Sequence, residues 1–294
     1  MQRDYLQNQR THGILLAIGA AFCLPLGDAF AKSLTLLYPI VVIGWMRFLV
    51  TTLVVGTAGR WRASSLFATQ LPGWQLLRAV LTITTTVFYY QGLSLLPLAD
   101  CTAIIFLAPL WAVGLARLWL REPVTPAQWA AVVVSLIGTA LIMQPDSAVF
   151  RWAVLWPLAG SLTLSGYLVV TRRIARTDSA LTTTFLTALS TLICFSVLLP
   201  HFWVPIERTA DLALMVVIGL LGAVGQQWTV MAYRRAPTVT IAPLGYLSLV
   251  VAIGIGYFFY SQVPEIPAAL GMACIVTSGL TLILYCPSAT GAKG

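Results

Sequence analysis

Apolar residues run through this chain in long uninterrupted blocks divided by short polar hinges. The blocks do not alternate polar and apolar positions, as the strands of a membrane barrel must. Each is near the ~20 residues an α-helix needs to cross a bilayer. The pattern predicts ten helices, over 13–35, 39–58, 73–95, 98–120, 126–144, 151–171, 180–200, 210–233, 238–260 and 266–286. The connections are short, so neighbouring helices should run antiparallel. The fold class expected is an all-α membrane protein.

One stretch organises the rest. Leu93 to Pro145 holds two apolar runs split by the hinge Arg121-Glu122-Pro123-Val124-Thr125-Pro126. About 140 residues later a similar stretch follows: Pro97 aligns with Pro237, Pro126 falls near Pro267, and Gly138 near Gly279. The chain thus reads as two five-helix units, residues 13–145 and 146–287, with a polar segment 1–12 before them and a tail 288–294 after them. An odd number of helices per unit inverts the second unit relative to the first, a common plan of secondary transporters.

Charge orients the units. With the N-terminus cytoplasmic, the cytoplasmic loops and helix ends hold Arg3, Arg10, Arg60, Arg62, Arg78, Arg117, Arg121, Arg172, Arg173, Arg176, Arg234, Arg235 and Lys293. The other side holds only Lys32, Arg151 and Arg208, and Arg47 lies within a span. Such asymmetry obeys the positive-inside rule and puts both termini inside. Ala29-Phe30-Ala31 fits the small-x-small pattern of a signal-peptide cleavage site. The apolar run continues past it, however, and its removal would spoil the repeat.

Composition agrees. Only 9% of the residues are charged and 59% are hydrophobic, with a mean hydropathy of +0.89, against a usual ~25% charged in soluble domains. The net charge of +8 comes from short clusters between apolar runs, so nucleic acid is not expected as a partner. Cys23, Cys101, Cys194, Cys274 and Cys286 are scattered and form no CxxC; no disulfide framework or metal site is legible. No cofactor is expected; the sequence leaves the oligomeric state open and is compatible with a monomer.

The segment Pro97…Pro109…Arg121-Glu122…Gly138 resembles the signature of the drug/metabolite transporter superfamily, EamA type. Pro39…Arg47-Phe48 looks like that family's second helix. Nearly the whole chain is covered, and within the family the chain looks similar, by general likeness, to the bacterial aromatic amino-acid exporters. The second unit departs from the pattern, with Leu249 in place of Pro109 and Gln262 in place of Glu122. The resemblance implies a multi-pass exporter of the bacterial inner membrane. Its cavity would be lined by helices one to four and six to nine, with helices five and ten peripheral.

Candidate chemistry is sparse. Charges within spans are expensive and are functional candidates by default; Asp28, Lys32 and Arg47 qualify. Asp28 and Lys32 are spaced i,i+4 and read as a self-neutralising pair with Lys32 snorkelling outward, or as a gate with Asp28 coupled to protons. Arg47 is free to pair with Asp28, cap carbonyls or attract a carboxylate. Pro25, Pro109, Pro157 and Pro243 interrupt apolar runs and free backbone carbonyls, as plain kinks or as hinges. Gly219, Gly222 and Gly225 share a helix face, the mark of close packing. Tyr89, Tyr90 and Gln91 with Gln226 and Gln227 form a polar, aromatic belt on two related helices, to which Tyr167, Trp111, Tyr246 and Ser248 are added as cavity candidates.

An aromatic cavity with Arg47 as its one cation suits a hydrophobic or aromatic amino acid better than a phosphate-bearing solute. A channel-like facilitator or a lipid flippase of the same architecture is the alternative. An enzyme is not expected: there is no GxSxG, HExxH or GxGD, and both histidines, His12 and His201, fall near helix ends.

Overall fold

The computed structural model describes residues 2–59, 66–108, 110–112, 115, 126–142, 148–174, 177–235 and 244–285. They form ten helices: α1 (Gln2–Thr35), α2 (Ile40–Gly59), α3 (Pro72–Leu95), α4 (Leu98–Ile105), α5 (Pro126–Ile142), α6 (Ala148–Ile174), α7 (Ala180–Phe202), α8 (Thr209–Arg235), α9 (Leu247–Tyr260) and α10 (Ile266–Tyr285). Five of the described helices carry a stretch long and apolar enough to cross a membrane alone, within α1, α2, α6, α7 and α8. Side chains such as Ile193, Val197, Phe258 and Phe259 stand exposed on the bundle's outside, as lipid requires.

Most boundaries fall where hydropathy put them, and local chemistry explains the ends. Pro72 opens α3, where its missing N–H costs nothing. The Ser179 hydroxyl caps α7 by accepting the Thr182 amide at 3.1 Å. Ser261 ends α9 in the left-handed region, φ 52°. Three elements differ from expectation. Helix α1 begins at Gln2 and so takes in most of the polar segment 1–12. The predicted fourth helix is interrupted: α4 ends at Ile105, the chain turns at Phe106–Leu107, and helix resumes at 108 and 110–112. The residue at position 109 is proline, which supplies no N–H to the Ile105 carbonyl. A turn at Tyr246 likewise precedes α9. Pro109, Pro243, Pro237 and the hinge 121–125 lie outside the described residues.

Helix pairing follows a two-fold pattern. α2 packs on α7, α4 on α9 and α5 on α10, while α1–α8 is matched by α3–α6, and α2–α8 by α3–α7. Each pair is either its own equivalent or the mate of another when the first five helices are exchanged with the last five. The ends also sort. Ala17 of α1 meets Ala232 of α8, and the Gly59 end of α2 meets Leu66 and Leu181; this is the near end. At the far end Tyr38 donates to Asp211 at 2.8 Å, joining the α1–α2 turn to the start of α8.

The α5–α10 contact is backbone on backbone. A Cβ on Gly138 would stand 2.6 Å from the Gly271 carbonyl oxygen, and one on Gly271 would strike the Gly138 carbonyl. Small residues permit such approach where lipid gives helices no hydrophobic reason to associate. Gly138 thus meets Gly271, while Gly279, its counterpart by spacing, gives its open face to the Tyr246 ring.

Candidate functional site

Helix α3 carries a polar stripe. Gln75, Arg78, Thr82, Thr85, Thr86 and Tyr89 recur at spacings of three and four, which sets them on one face. That face borders a cavity of ≈ 160 Å³, completed by Arg47 and Thr51 of α2, Tyr167 of α6, Thr184 and Thr187 of α7, and Gly222 and Gln226 of α8. Both five-helix units therefore contribute walls.

Arg78 is the feature that the hydropathy reading misplaced. It was assigned to a cytoplasmic loop or helix end, but it is buried, at 4% exposure, and lines the cavity. Its Nε donates to Thr171 Oγ1 at 2.9 Å, its Nη1 to the Thr183 carbonyl at 2.8 Å and to Thr187 Oγ1, and its Nη2 to Tyr167 Oη at 2.5 Å. The guanidinium also lies 4.5 Å from the centroid of the Tyr167 ring. All these partners are neutral. The cavity has two cations, not one, so the argument against phosphate from a single arginine does not stand. The i, i+3, i+4 polar stripe on α3 was the signal that placed Arg78 inward.

Arg47, by contrast, is compensated. It stands 3.8 Å from Asp28 and donates to Tyr90 Oη at 2.7 Å. Tyr89 Oη donates to Asp28 at 3.1 Å. Asp28 therefore pairs across helices with Arg47, not along its own helix with Lys32. Gly222 makes the space: a Cβ there would stand 3.2 Å from Arg47 Nε. Gly219 admits Val50 and Gly225 admits Leu24 in the same way, so the glycine face of α8 seats α2 and α1.

Lys32 acts elsewhere. Its ammonium donates to the carbonyls of Leu93 and Leu96 at the end of α3, groups that a helix terminus leaves without partners. Around it, Tyr260 Oη donates to the Ala29 carbonyl at 2.5 Å and lies 2.7 Å from Ser33 Oγ. The Leu98 amide donates to Gln262 Oε1 at 3.3 Å. These bonds tie α1, α3, α4 and α9 together at the far end, beyond the cavity. The same end holds two buried carboxylates that sequence reasoning missed, Asp211 at the start of α8 and Asp100 in the first turn of α4.

At the near end Asp178, between α6 and α7, accepts from Thr69 Oγ1 at 2.5 Å, Gln75 Nε2 at 2.9 Å and the Gln70 amide at 3.2 Å. Burial favours the protonated acid, but these donors outweigh it and hold the Asp178 carboxyl below the ordinary carboxylate range.

The remaining candidates are spread around the cavity. Tyr167 and Gln226 line it and touch, with Gln226 Nε2 donating to Tyr167 Oη at 3.2 Å. Tyr89 and Tyr90 lie behind its wall on the Asp28–Arg47 pair. Gln91 and Gln227 are half-buried and do not line it. Trp111 donates to Ser161 Oγ at 3.0 Å. Tyr246 stacks on Phe106, with ring centroids 5.0 Å apart, and faces α10; Ser248 is buried. Neither is among the residues that line the cavity. Pro25 and Pro157 lie inside α1 and α6. Gly92 faces Pro157, whose Cδ would be 2.9 Å from a Cβ there. Among the described residues no group of three or more His, Cys, Asp or Glu side chains is placed to hold a metal ion.

A many-helix bundle with lipid-facing apolar sides and a polar cavity between two related units defines a membrane transporter of small solutes. The sequence pattern of the EamA-like transporter family matches the chain twice, at residues 11–144 and 151–285. The chain belongs to that family. It is a transport protein rather than an enzyme, and a multi-pass protein of the bacterial inner membrane. It is 30% identical over 217 residues to a riboflavin transporter of Rhizobium johnstonii, covering 73% of this chain and 71% of the relative. It is 24% identical over 272 residues to a pseudopaline exporter of Pseudomonas aeruginosa, covering 92% and 95%. An S-adenosylmethionine uptake transporter of Rickettsia conorii is 22% identical over 241 residues, covering 82% of each. A solved crystal structure superposes with a TM-score of 0.66 at 20% identity, over 94% of this chain and 97% of that one, and so shares the fold.

Proposed function

We propose that the protein exports small metabolites from the cytoplasm by alternating access, and that aromatic or hydrophobic amino acids are its substrates. The carrying observation is a cavity walled by both units, with the Lys32, Tyr260 and Gln262 bonds tying helices of both units together at the far end. In this reading residues 13–145 and 146–287 are inverted-topology repeats, both termini are cytoplasmic, and the far end is periplasmic. An exporter loads such a cavity from the cytoplasm, through the near end, while the far-end bonds are in place. Tyr167 and Gln226 contact the solute directly. Asp28, Arg47, Tyr89 and Tyr90 form the network that rearranges when the far end opens, and Pro25 and Pro157 bend the helices that carry it.

The relatives move solutes as different as riboflavin, pseudopaline and S-adenosylmethionine, so the substrate must be read from this cavity. Its volume of ≈ 160 Å³ and its aromatic and threonine walls suit a compact solute with an apolar body and a small polar head. A channel-like facilitator or flippase is the second reading.

The test is uptake of a panel of labelled amino acids into proteoliposomes, with and without a pH gradient. Saturable uptake of phenylalanine, tryptophan or leucine is expected. No uptake of any aromatic or branched amino acid would refute the substrate assignment. Equal transport by Asp28→Asn and the native protein under both conditions would refute proton coupling through that carboxylate.

A further inference from the structure

We infer that Arg78, with Tyr167 and Gln226, forms an anion subsite that takes the carboxylate of the solute. The assignment rests on the transport reading above and adds the chemistry that the solute must carry.

The first argument is charge. Arg78 is buried, and among the described residues no carboxylate lies within ion-pair distance of it. A buried cation held only by neutral dipoles is costly. Arg47, the other cation on the cavity, already has Asp28 at 3.8 Å. One uncompensated positive charge therefore faces the cavity, and it matches a single negative charge. A phosphate monoester, at ≈ −1.5 to −2 near neutrality, would overshoot it.

The second argument is a count of hydrogens. A guanidinium has five N–H groups; four of those on Arg78 are committed to Thr171, the Thr183 carbonyl, Thr187 and Tyr167. One Nη2 hydrogen remains. Tyr167 Oη accepts from Arg78 and from Gln226, so its own hydrogen has no acceptor among the described residues. Gln226 is exposed to the cavity and keeps a second Nε2 hydrogen. The surrounding threonines offer little competition, because Thr82, Thr86, Thr171 and Thr187 donate to carbonyls of their own helices. Apart from the Gln226 Oε1 acceptor, the free groups at this spot are donors around a positive charge. A carboxylate, which only accepts and carries one negative charge, complements them.

The subsite is distinct from the Asp28–Arg47 pair. Arg47 reaches Tyr90, and twelve residues of α3 separate Arg78 from Tyr90, about 18 Å of helix axis. A small solute held by its carboxylate at Arg78 points its body along the threonine face of α3 toward Arg47.

The test is equilibrium binding of radiolabelled 3-phenylpropionate to the purified full chain in nanodiscs. Phenylalanine, phenylalaninamide and phenyl phosphate serve as competitors. 3-Phenylpropionate should bind saturably, phenylalanine should compete, and the amide should be at least tenfold weaker. Arg78→Gln should weaken 3-phenylpropionate at least tenfold. Tyr167→Phe, which keeps the ring and removes one donor, should weaken it about threefold and leaves the test standing if Arg78→Gln does not fold. Arg78→Lys should restore part of the affinity. Absent binding by the native protein, equal competition by acid and amide, tighter binding of phenyl phosphate, or undiminished binding by both variants that fold would each overturn the subsite. Arg78-dependent binding of 3-phenylpropionate without competition or transport of any amino acid would keep the subsite and remove the amino-acid reading.

Discussion

At the scale of single residues, the two cavity arginines differ by their company. Arg47 is neutralised by Asp28 and steadied by Tyr90, whereas Arg78 has only neutral oxygen partners and a ring. The difference predicts opposite mutational behaviour. Asp28→Ala should destabilise the protein by about 1.5 kcal/mol, the low end for bonds to charged groups, because both side chains keep about a fifth of their exposure (21% and 19%). The double variant Asp28→Asn with Arg47→Gln should cost less than the sum of the singles, since neither leaves the other's charge stranded. Thermal unfolding in detergent of the four proteins of that cycle checks this; strict additivity would mean that the pair does not interact. Arg78 belonged to a loop end by the positive-inside pattern alone, because an arginine seven residues into a helix and one in a loop look the same to a hydropathy window. The stripe Gln75, Arg78, Thr82, Thr85, Thr86 and Tyr89 was nevertheless present in the sequence. The partners of Lys32 were not legible, because the Leu93 and Leu96 carbonyls lie more than sixty residues away (|i−j| 61 and 64).

At the scale of elements, helix existence was written in hydropathy, and helix rotation was not. Tyr246 and Ser248 were assigned to the cavity because they belong to a pathway helix, yet the turn at Tyr246 sends its ring into the Gly279 slot of α10. The same slot logic makes α5–α10 intolerant of bulk. Gly138→Ile should destabilise by about 3 kcal/mol, the upper end for overpacking, because the atom it meets is the Gly271 carbonyl and not a side chain that can swing aside. Gly73, which has nothing within 4 Å of its would-be Cβ, is the control, and Gly73→Ala should melt within about 0.5 kcal/mol of the native protein. Equal losses at both glycines would contradict the packing account. The near-end tie through Asp178 has a defined pH window. Its folded carboxyl lies below the ordinary value of ~3.9. Its stabilisation is therefore fully present above that value and is lost as pH falls through the lower folded value. Hydrogen exchange of the 67–71 segment should be unchanged by this group between pH 5 and 8 after correction for intrinsic rates, and Asp178→Ala should raise it at every pH in that range. Loss of protection in the native protein on acidifying from pH 8 to 5 would assign the tie to another group.

At the scale of the whole molecule, the pairing of α1–α8 with α3–α6, and of α2–α7, α4–α9 and α5–α10 with themselves, is the architecture that a duplicated unit leaves behind. That much was readable from a recurring proline and glycine spacing and from helix parity. The state of the bundle was not, because it depends on which end is bonded shut. The far-end bonds of Lys32 and Tyr260 hold α1, α3 and α9 together, so loosening them should shift the population toward far-end opening. Lys32→Gln combined with Tyr260→Phe should speed labelling of Cys101, which is fully buried beside this cluster, by a membrane-impermeant maleimide applied from the periplasmic side. Unchanged labelling would mean that these bonds do not close the pathway. The most direct measurement of the central claim is counterflow. Proteoliposomes loaded with unlabelled phenylalanine and diluted into a trace of labelled phenylalanine should accumulate label transiently above equilibrium, with a rate that saturates. Flux that rises linearly with concentration and never overshoots would contradict a carrier working by alternating access.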